Sequence, residues 1–179
     1  MGVYSIMRSD ADIINAVKSA RRLAIICCEG CANESLAYDK NIPLKMKSGQ
    51  HVGQDVLAPN AVLEEALRLK AILQTEANEI IIASGVPLCS ILSDGKGNDL
   101  EWLKPCNGAD TAIILSCAAG ILGVKSTLGK AVKIVPGMKT IGIHFSYKTI
   151  DHSTGNAHID RERSAFLRLF EEKGKNDFE

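Results

Sequence analysis

The stretch RRLAIICCEGCANES, residues 21–35, is the most informative part of the sequence for the fold. It contains an apolar run that ends at three cysteines within five positions. The run RRLAIICC, residues 21–28, is rich in isoleucine and has no alternation of polar and apolar residues. This pattern is typical of a parallel strand that is covered on both faces. A C-x-x-C step from Cys28 to Cys31 follows at once. The junction therefore predicts a buried strand that ends at cysteine thiols.

Three further apolar runs follow helical segments in the same way. They cover residues 78–85, 109–117 and 130–137. Helices are predicted with Ser9 as N-cap, with Pro59 in a first turn, and after the third strand as far as Gly129. Alternation of fully apolar strands with helices predicts a mainly parallel sheet between layers of helices. The expected fold is a three-layer α/β domain of the Rossmann-like or flavodoxin-like kind.

Bulk properties narrow the class of protein. Residues 1–179 are enough for one domain, with its core at about residues 21–143. Lys plus Arg and Asp plus Glu each number 21, so the basic excess of a general nucleic-acid binder is missing. No apolar stretch reaches the ~18 residues that cross a membrane, and no secretory signal pattern is present. A cytoplasmic protein with reduced cysteines is therefore expected.

The segments around these core strands carry weaker signals. Residues 30–57 are rich in turn-forming residues and are predicted to be a long loop, with an edge strand at residues 42–46. Residues 139–147 are predicted to be a fifth strand, possibly at the edge of the sheet. Residues 160–174 have the charge and apolar spacing of an amphipathic helix. The apolar side of that helix holds Phe166, Leu169 and Phe170.

Four thiols are predicted to lie at one edge of the sheet. Parallel strands all end at the same edge, and an open α/β sheet binds its ligands there. Cys28 and Cys31 follow the first strand, Cys89 follows the second, and Cys117 ends the third. Cys106 precedes the third strand and belongs to the opposite edge. The first four cysteines are therefore predicted to be metal ligands.

Zinc and an iron-sulfur cluster both suit a set of four thiolates, and the sequence does not separate them. Two other interpretations of Cys28 and Cys31 stay open. They are unrelated buried cysteines, or they form a redox dithiol of the thioredoxin type, which requires the CANESLAYD segment to be a helix. Cys27 is predicted to be a small core residue, because neighbouring residues of a strand face opposite sides.

Other polar residues have a less specific pattern. Glu29 and Glu34 flank the C-x-x-C step and are candidates to bind a metal or protonate a substrate, although solvated carboxylates are commoner. His144, His152 and His158 cluster after the last strands. They could complete a metal site or act in acid-base chemistry, but solvated loop histidines are the favoured interpretation. Neither a P-loop nor a G-x-G-x-x-G motif follows a strand, so a nucleotide in the usual position is not predicted.

The stretches LAIICCEGCANES, EWLKPCNGADTAIILSCAAGI and KAVKIVPGMKTIGI together resemble the MetV-like family, also called the methylenetetrahydrofolate reductase C-terminal domain family. The resemblance covers residues 21–143 and is most specific in the second stretch. It implies that Cys28, Cys31 and Cys117 are metal ligands, with Cys89 aligned more loosely. Ser35 stands where family members often have a further cysteine, and no cysteine follows Cys117, which indicates a single metal centre.

The resemblance also implies a role. Family members are cytoplasmic metal-binding subunits of anaerobic one-carbon metabolism. The implied partner is a methylenetetrahydrofolate reductase-type barrel subunit or a corrinoid or folate methyltransferase, and the implied cofactor is zinc or one iron-sulfur cluster. The alternative is a redox or methyl-transfer enzyme that uses an iron-sulfur centre or reactive cysteine thiolates at the same site. Whether the chain is itself an enzyme stays open.

Overall fold

The protein is an α/β structure with a four-stranded parallel sheet flanked by helices and two small antiparallel sheets. The computed structural model describes residues 1–45, 61–75, 77, 79–85, 88–93, 100–154 and 156–169. The strands are β1 (Gly2–Met7), β2 (Arg22–Cys28), β3 (Leu44–Lys45), β4 (Glu79–Gly85), β5 (Thr111–Leu115), β6 (Lys133–Pro136), β7 (Met138–Phe145), β8 (Lys148–Asp151), β9 (Asn156–Ile159) and β10 (Ala165–Arg168). The helices are α1 (Asp10–Val17), α2 (Cys31–Lys40), α3 (Ala61–Leu73), α4 (Ser90–Ser93) and α5 (Ala118–Leu128), with a 3₁₀ helix at Leu100–Cys106.

The parallel sheet has the strand order β4-β2-β5-β6 and is built from the four apolar runs. β2 pairs with β4 on one side and with β5 on the other. Every side chain from Leu23 to Cys28 is buried, as is every residue of β5. The four strands predicted from their continuous apolar character are confirmed, with ends that differ by a few residues. A strand of this kind has no polar face because both of its faces are covered.

Local signals at the helix ends are also confirmed. The Ser9 hydroxyl accepts a hydrogen bond from the backbone N–H of Asp12 at 3.2 Å and caps α1. α5 ends at Gly129, whose φ of 76° lies in the region that glycine adopts most readily. α3 buries Ala66 and Leu69 among its apolar residues, as its spacing predicts. Pro59, predicted to begin that helix, lies outside the described residues.

The long loop predicted for residues 30–57 is wrong at its beginning, where the chain forms α2. The buried face of α2 includes Ala32, Asn33 and Ser35, which are small or polar residues. No strong apolar stripe therefore marks it as a helix, and its stability comes from packing against β1 and α3. Of the edge strand predicted at residues 42–46, β3 accounts for Leu44–Lys45. Residue 46 and the remainder of the predicted loop lie outside the described residues.

The strand predicted at residues 139–147 is confirmed as β7, but it does not lie at the edge of a sheet. β7 is the middle strand of a separate antiparallel sheet with the order β1-β7-β10. The helix predicted at residues 160–174 is wrong where the structure describes it, because β10 pairs there with β7. Phe166 stacks on His144 and on Tyr38, and these contacts are made only by an extended chain. Phe170 and the rest of that prediction lie outside the described residues.

A cluster of charged side chains ties the first three helices together. The carboxylate of Glu65 on α3 is only 3% exposed and pairs with Lys40 of α2 and with Arg68. Arg68 also forms two hydrogen bonds with Asp10 of α1, at 2.7 and 2.6 Å. Burial pushes the pKa of Glu65 up, but hydrogen bonds from Arg68 and Lys40 outweigh it and hold the pKa below its usual range. Hydrogen bonds from Arg68 likewise lower the pKa of Asp10.

We expect Glu65→Gln to destabilise the fold at neutral pH and to flatten the acid limb of its stability curve. Both carboxyl groups have lower pKa values in the folded state, so the stability they contribute is complete above the unfolded carboxyl pKa of ~4.3 and is lost as pH falls through the folded value. Loss of charged hydrogen bonds at a buried position costs about 1–3 kcal/mol. Urea unfolding from about pH 3 to 7 measures both effects.

Glu64→Gln is the matched control, since Glu64 is the exposed neighbour on the same helix. It is expected to leave the free energy of unfolding within about 0.5 kcal/mol of the original chain. If the free energy of unfolding of Glu65→Gln changes with pH in parallel with that of the original chain down to acid pH, the stabilising role of the Glu65 carboxylate is contradicted.

Candidate metal centre

The carboxyl ends of β2 and β5 form the crevice at which an open parallel sheet binds its ligands. The chain leaves β2 towards β4 on one side of the sheet, and later adds β5 and β6 on the other side. Such a reversal of strand order leaves a crevice between the two adjacent strands. Cys28 is the last residue of β2, Cys31 is the first residue of α2, and Cys117 is the N-cap of α5. Three of the predicted ligands therefore border this crevice.

The fourth predicted ligand, Cys89, lies after β4 and directly before α4. Burial raises the pKa of Cys89, and negative charge on Cys117, Cys28 and Cys31 raises it further. Burial also raises the pKa of Cys31, again with contributions from Cys117 and Cys28. The four predicted cysteines follow the carboxyl ends of β2, β4 and β5 and so lie along one rim of the sheet, where Cys28 and Cys117 are buried, Cys31 is half-buried and Cys89 is exposed.

The two remaining cysteines lie apart from this rim, as predicted. Cys106 is fully buried and feels the positive charge of Arg22, which begins β2 at the opposite end of the sheet. Cys27 is a core residue whose thiol donates to the backbone oxygen of Val62 at 3.8 Å. Burial raises the pKa of both thiols. These two positions supply controls for experiments on the rim cysteines.

Two helices direct their positive ends at the rim. α2 and α5 begin at Cys31 and Cys117, and neither helix has a side-chain hydrogen bond at its N-cap. The free N–H groups of a helix start carry partial positive charge, which stabilises thiolates. Within the residues that the structure describes, no three His, Cys, Asp or Glu side chains are grouped closely enough to hold a metal ion. The rim therefore gathers thiols and positive helix ends without a closed set of ligands.

The prediction that His144 is a solvated loop histidine is wrong. His144 lies on β7, is 3% exposed, and stacks on Phe166 with the ring centroids 4.7 Å apart. Neither ring nitrogen has a hydrogen-bond partner among the described residues. His152 and His158 are exposed, in keeping with the prediction. The sequence interpretation named His144 as a functional candidate but missed its burial, which depends on the unpredicted strand β10.

His144 and Cys31 face the same small space beside Gly2. Gly2 is opposite His144 in the pairing of β1 with β7. A Cβ atom at residue 2 would lie 2.4 Å from Nε2 of His144 and 3.0 Å from Sγ of Cys31. Only glycine leaves this space open. A thiol sulfur and an imidazole nitrogen without a hydrogen-bond partner among the described residues border this space, and both are donor types that zinc prefers.

A carboxylate lies on the other side of the imidazole. Oε2 of Glu34 is 3.7 Å from Nδ1 of His144. Ser146 and Lys148 hold that carboxylate with hydrogen bonds of 2.5 Å each. Burial raises the pKa of Glu34, but these hydrogen bonds outweigh it and keep the carboxyl below its usual pKa. Burial lowers the pKa of His144 in spite of Glu34, which favours a neutral ring. His144, Ser146 and Lys148 are spaced two residues apart, and this spacing is the sequence signal for the arrangement.

Ser35 fastens β1 to the start of α2. Its hydroxyl lies 2.8 Å from the backbone oxygen of Cys31 and 3.3 Å from that of Val3, and it accepts the N–H of Ser5 at 3.2 Å. The backbone N–H of Val3 bonds to the sulfur of Cys31 and lowers its pKa, against the larger effect of burial. The serine at this position, where the resemblance suggested another cysteine, therefore orients Cys31 through the edge of β1.

No family model, no curated protein and no solved structure matches the chain. Among the described residues, no helix is long and apolar enough to span a membrane. The grounds for a function are therefore the chemistry of the rim and the motifs of the sequence.

We expect Ser35→Ala to destabilise the protein by about 1–3 kcal/mol, because it leaves the N–H of Ser5 buried without its partner. Ser126→Ala is the control, since Ser126 is exposed on α5 and its hydroxyl bonds only within the helix. That control is expected to change the free energy of unfolding by less than about 0.5 kcal/mol. Urea unfolding measures the free energy of unfolding of the original protein and of both variants. Equal values for Ser35→Ala and the original protein contradict the role of Ser35.

Proposed function

We propose that this chain is a cytoplasmic metal-binding accessory subunit, with a Rossmann-like, flavodoxin-like domain, that holds one zinc ion or a single iron-sulfur cluster. The observation that supports the proposal is the position of Cys28, Cys31 and Cys117, which follow the carboxyl ends of β2 and β5 beside the crevice. Cys89 is the further thiol of the same rim. Zinc bound by this set has no open coordination position, so its role is structural.

The electrostatics of the rim support metal binding. Several thiolates in one buried place repel each other, and a cation removes that repulsion. The N-terminal ends of α2 and α5 carry partial positive charge and would also stabilise the site. A metal bound by four ligands that include at least three thiolates has a net negative charge, which these helix ends attract. The small space beside Gly2 provides room next to the sulfur of Cys31. Zinc or a cluster would thus stabilise the crevice and the loops around it.

A redox or methyl-transfer enzyme at the same site is the second candidate. The observation in its favour is that α2 begins at Cys31, directly after the C-x-x-C step, as a thioredoxin-type dithiol requires. Against it, Cys89 and Cys117 would have no role in a dithiol formed by Cys28 and Cys31. The metal-binding interpretation therefore uses more of the rim.

The proposed partner is a methylenetetrahydrofolate reductase-type barrel subunit or a corrinoid or folate methyltransferase, as the sequence resemblance suggests. An apolar surface supports docking of a partner. Phe145, Leu167 and Leu169 are each more than half exposed, at 56%, 54% and 56%. Leu167 lies on β10, an edge strand with a free backbone side. Exposed apolar groups on an edge strand are a typical surface for a second protein.

Metal analysis after anaerobic purification tests the site. We expect about one zinc per colourless chain, whereas a brown protein with a broad absorption band near ~400 nm and bound sulfide indicates a cluster. Cys117→Ser is expected to weaken metal binding by at least ~10-fold, since even loss of a group that only supports a ligand costs 10–100-fold. Cys106→Ser is the control, because Cys106 is equally buried at the opposite end of the sheet. Equal losses in both variants, or no metal in the original chain, contradict the proposal.

We expect Leu167→Asp to weaken binding to a purified methylenetetrahydrofolate reductase-type subunit from the same host by at least ~10-fold, because a charge in an apolar interface is poorly solvated. Leu122→Asp is the control. Leu122 is 58% exposed and lies on α5, which follows β5 of the parallel sheet, whereas β10 belongs to an antiparallel sheet. Isothermal titration calorimetry measures both affinities. Unchanged binding by Leu167→Asp excludes this surface, and no binding by the original chain excludes this partner.

A further inference from the structure

We propose that Cys31 is an oxidation site, at which its thiol attacks a small peroxide while Nε2 of His144 accepts the thiol proton. This reaction belongs to the metal-free chain and goes beyond the proposed metal binding, because it needs one sulfur and one imidazole nitrogen rather than a set of ligands. Three observations support it. They are the common position of the two atoms, the missing partner of the imidazole, and the place of the sulfur at the start of a helix.

The first observation is that the sulfur and the nitrogen lie beside the same glycine. Gly2 of β1 pairs with His144 of β7. A Cβ atom built on Gly2 would lie 2.4 Å from Nε2 of His144 and 3.0 Å from Sγ of Cys31. Both atoms therefore lie on the same side of Gly2, near enough for the thiol proton to pass directly or through one water molecule.

The second observation is that the imidazole of His144 is buried without a partner. The residue is 3% exposed, and neither ring nitrogen has a hydrogen-bond partner among the described residues. Such groups are rare in folded proteins. Phe166 stacks on the ring with the planes 5° apart, and Glu34 lies on the Nδ1 side at 3.7 Å, so Nε2 is the nitrogen on the side of the sulfur. Burial lowers the pKa of His144, which keeps the ring neutral and able to accept a proton.

The third observation is the environment of the Cys31 sulfur. Cys31 is the first residue of α2, a helix of 10 residues whose N-cap, Gly30, makes no side-chain hydrogen bond. The partial positive charge of a helix start stabilises a thiolate as it forms. The backbone N–H of Val3 donates a hydrogen bond to the same sulfur. Burial nevertheless raises the pKa of the thiol, so the sulfur needs a base in order to react. The side chain is only half-buried, which leaves it open to a small neutral oxidant.

The reaction is balanced without a further cofactor. Sγ of Cys31 attacks one oxygen of the peroxide, so that an S–O bond forms and the O–O bond breaks. The thiol proton passes to Nε2 of His144 and from there to the leaving hydroxide, which becomes water. The sulfur loses two electrons to the peroxide and becomes a sulfenic acid. His144 returns to its neutral form.

Trapping of the sulfenic acid in the original chain tests the inference. The chain is treated with a chelator so that no metal shields the thiols, and is then exposed to hydrogen peroxide and dimedone. Peptide mass spectrometry measures the rate of modification at each cysteine. We expect Cys31 to be modified at least ~10-fold faster than Cys89, although Cys89 is the more exposed thiol. A rate at Cys31 no higher than that at Cys89 overturns the inference and leaves the proposed metal binding intact.

Histidine variants test the proton acceptor. His144→Gln is expected to slow the modification of Cys31 by at least ~10-fold and to leave Cys89 unchanged, because a general base contributes about 10²–10⁴-fold to a rate. His158→Gln is the matched control, since His158 is exposed on β9, and both rates are expected to stay unchanged. An unchanged rate at Cys31 in a His144→Gln chain that circular dichroism shows to be folded contradicts the inference. If that variant does not fold, the ratio of the rates at Cys31 and Cys89 in the original chain decides.

Discussion

β2 is buried on both faces, and the parallel sheet is built around it, with β4 on one side and β5 on the other. Its hydrogen bonds to β4 and β5 and the covering of its faces exclude water from Leu23 to Cys28. A strand of this kind has one place where polar chemistry is possible, at its carboxyl end, and the C-x-x-C step begins there. The C-x-x-C step is therefore attached to the end of a fully buried strand.

The surroundings of the rim depart from the local rules that the core obeys. α2 buries Asn33 and Ser35, and β7 buries His144, none of which adds hydrophobic stability. Departures of this kind concentrate at functional sites, because the groups are retained for their chemistry. Two of these residues lie in one region: Ser35 bonds to β1, and β1 supplies Gly2, which lies against His144 and the sulfur of Cys31. Asn33 instead accepts the N–H of Val62 on α3.

The sequence was sufficient where the signals are local. Continuous apolar runs predicted the parallel strands, Ser9 and Gly129 predicted helix ends, and strand ends predicted the edge at which the cysteines gather. It was insufficient for α2, whose buried face is small and polar, and for β1 and β10, which are held by pairing with a distant strand. The burial of His144 was not predicted because β1 and β10, which pair with β7 on its two sides, were not predicted. Long-range pairing has no periodic signature within the segment that pairs.

The middle position of β7 between β1 and β10 has a kinetic consequence. The pairs Gly2–His144 and His144–Phe166 join segments that are far apart in the sequence. The pairing of β1 with β7 joins residues that are farther apart in the sequence than the pairings among β2, β4 and β5, so closing that loop costs more chain entropy. During synthesis on the ribosome, the pocket around His144 matures only once β10 has emerged.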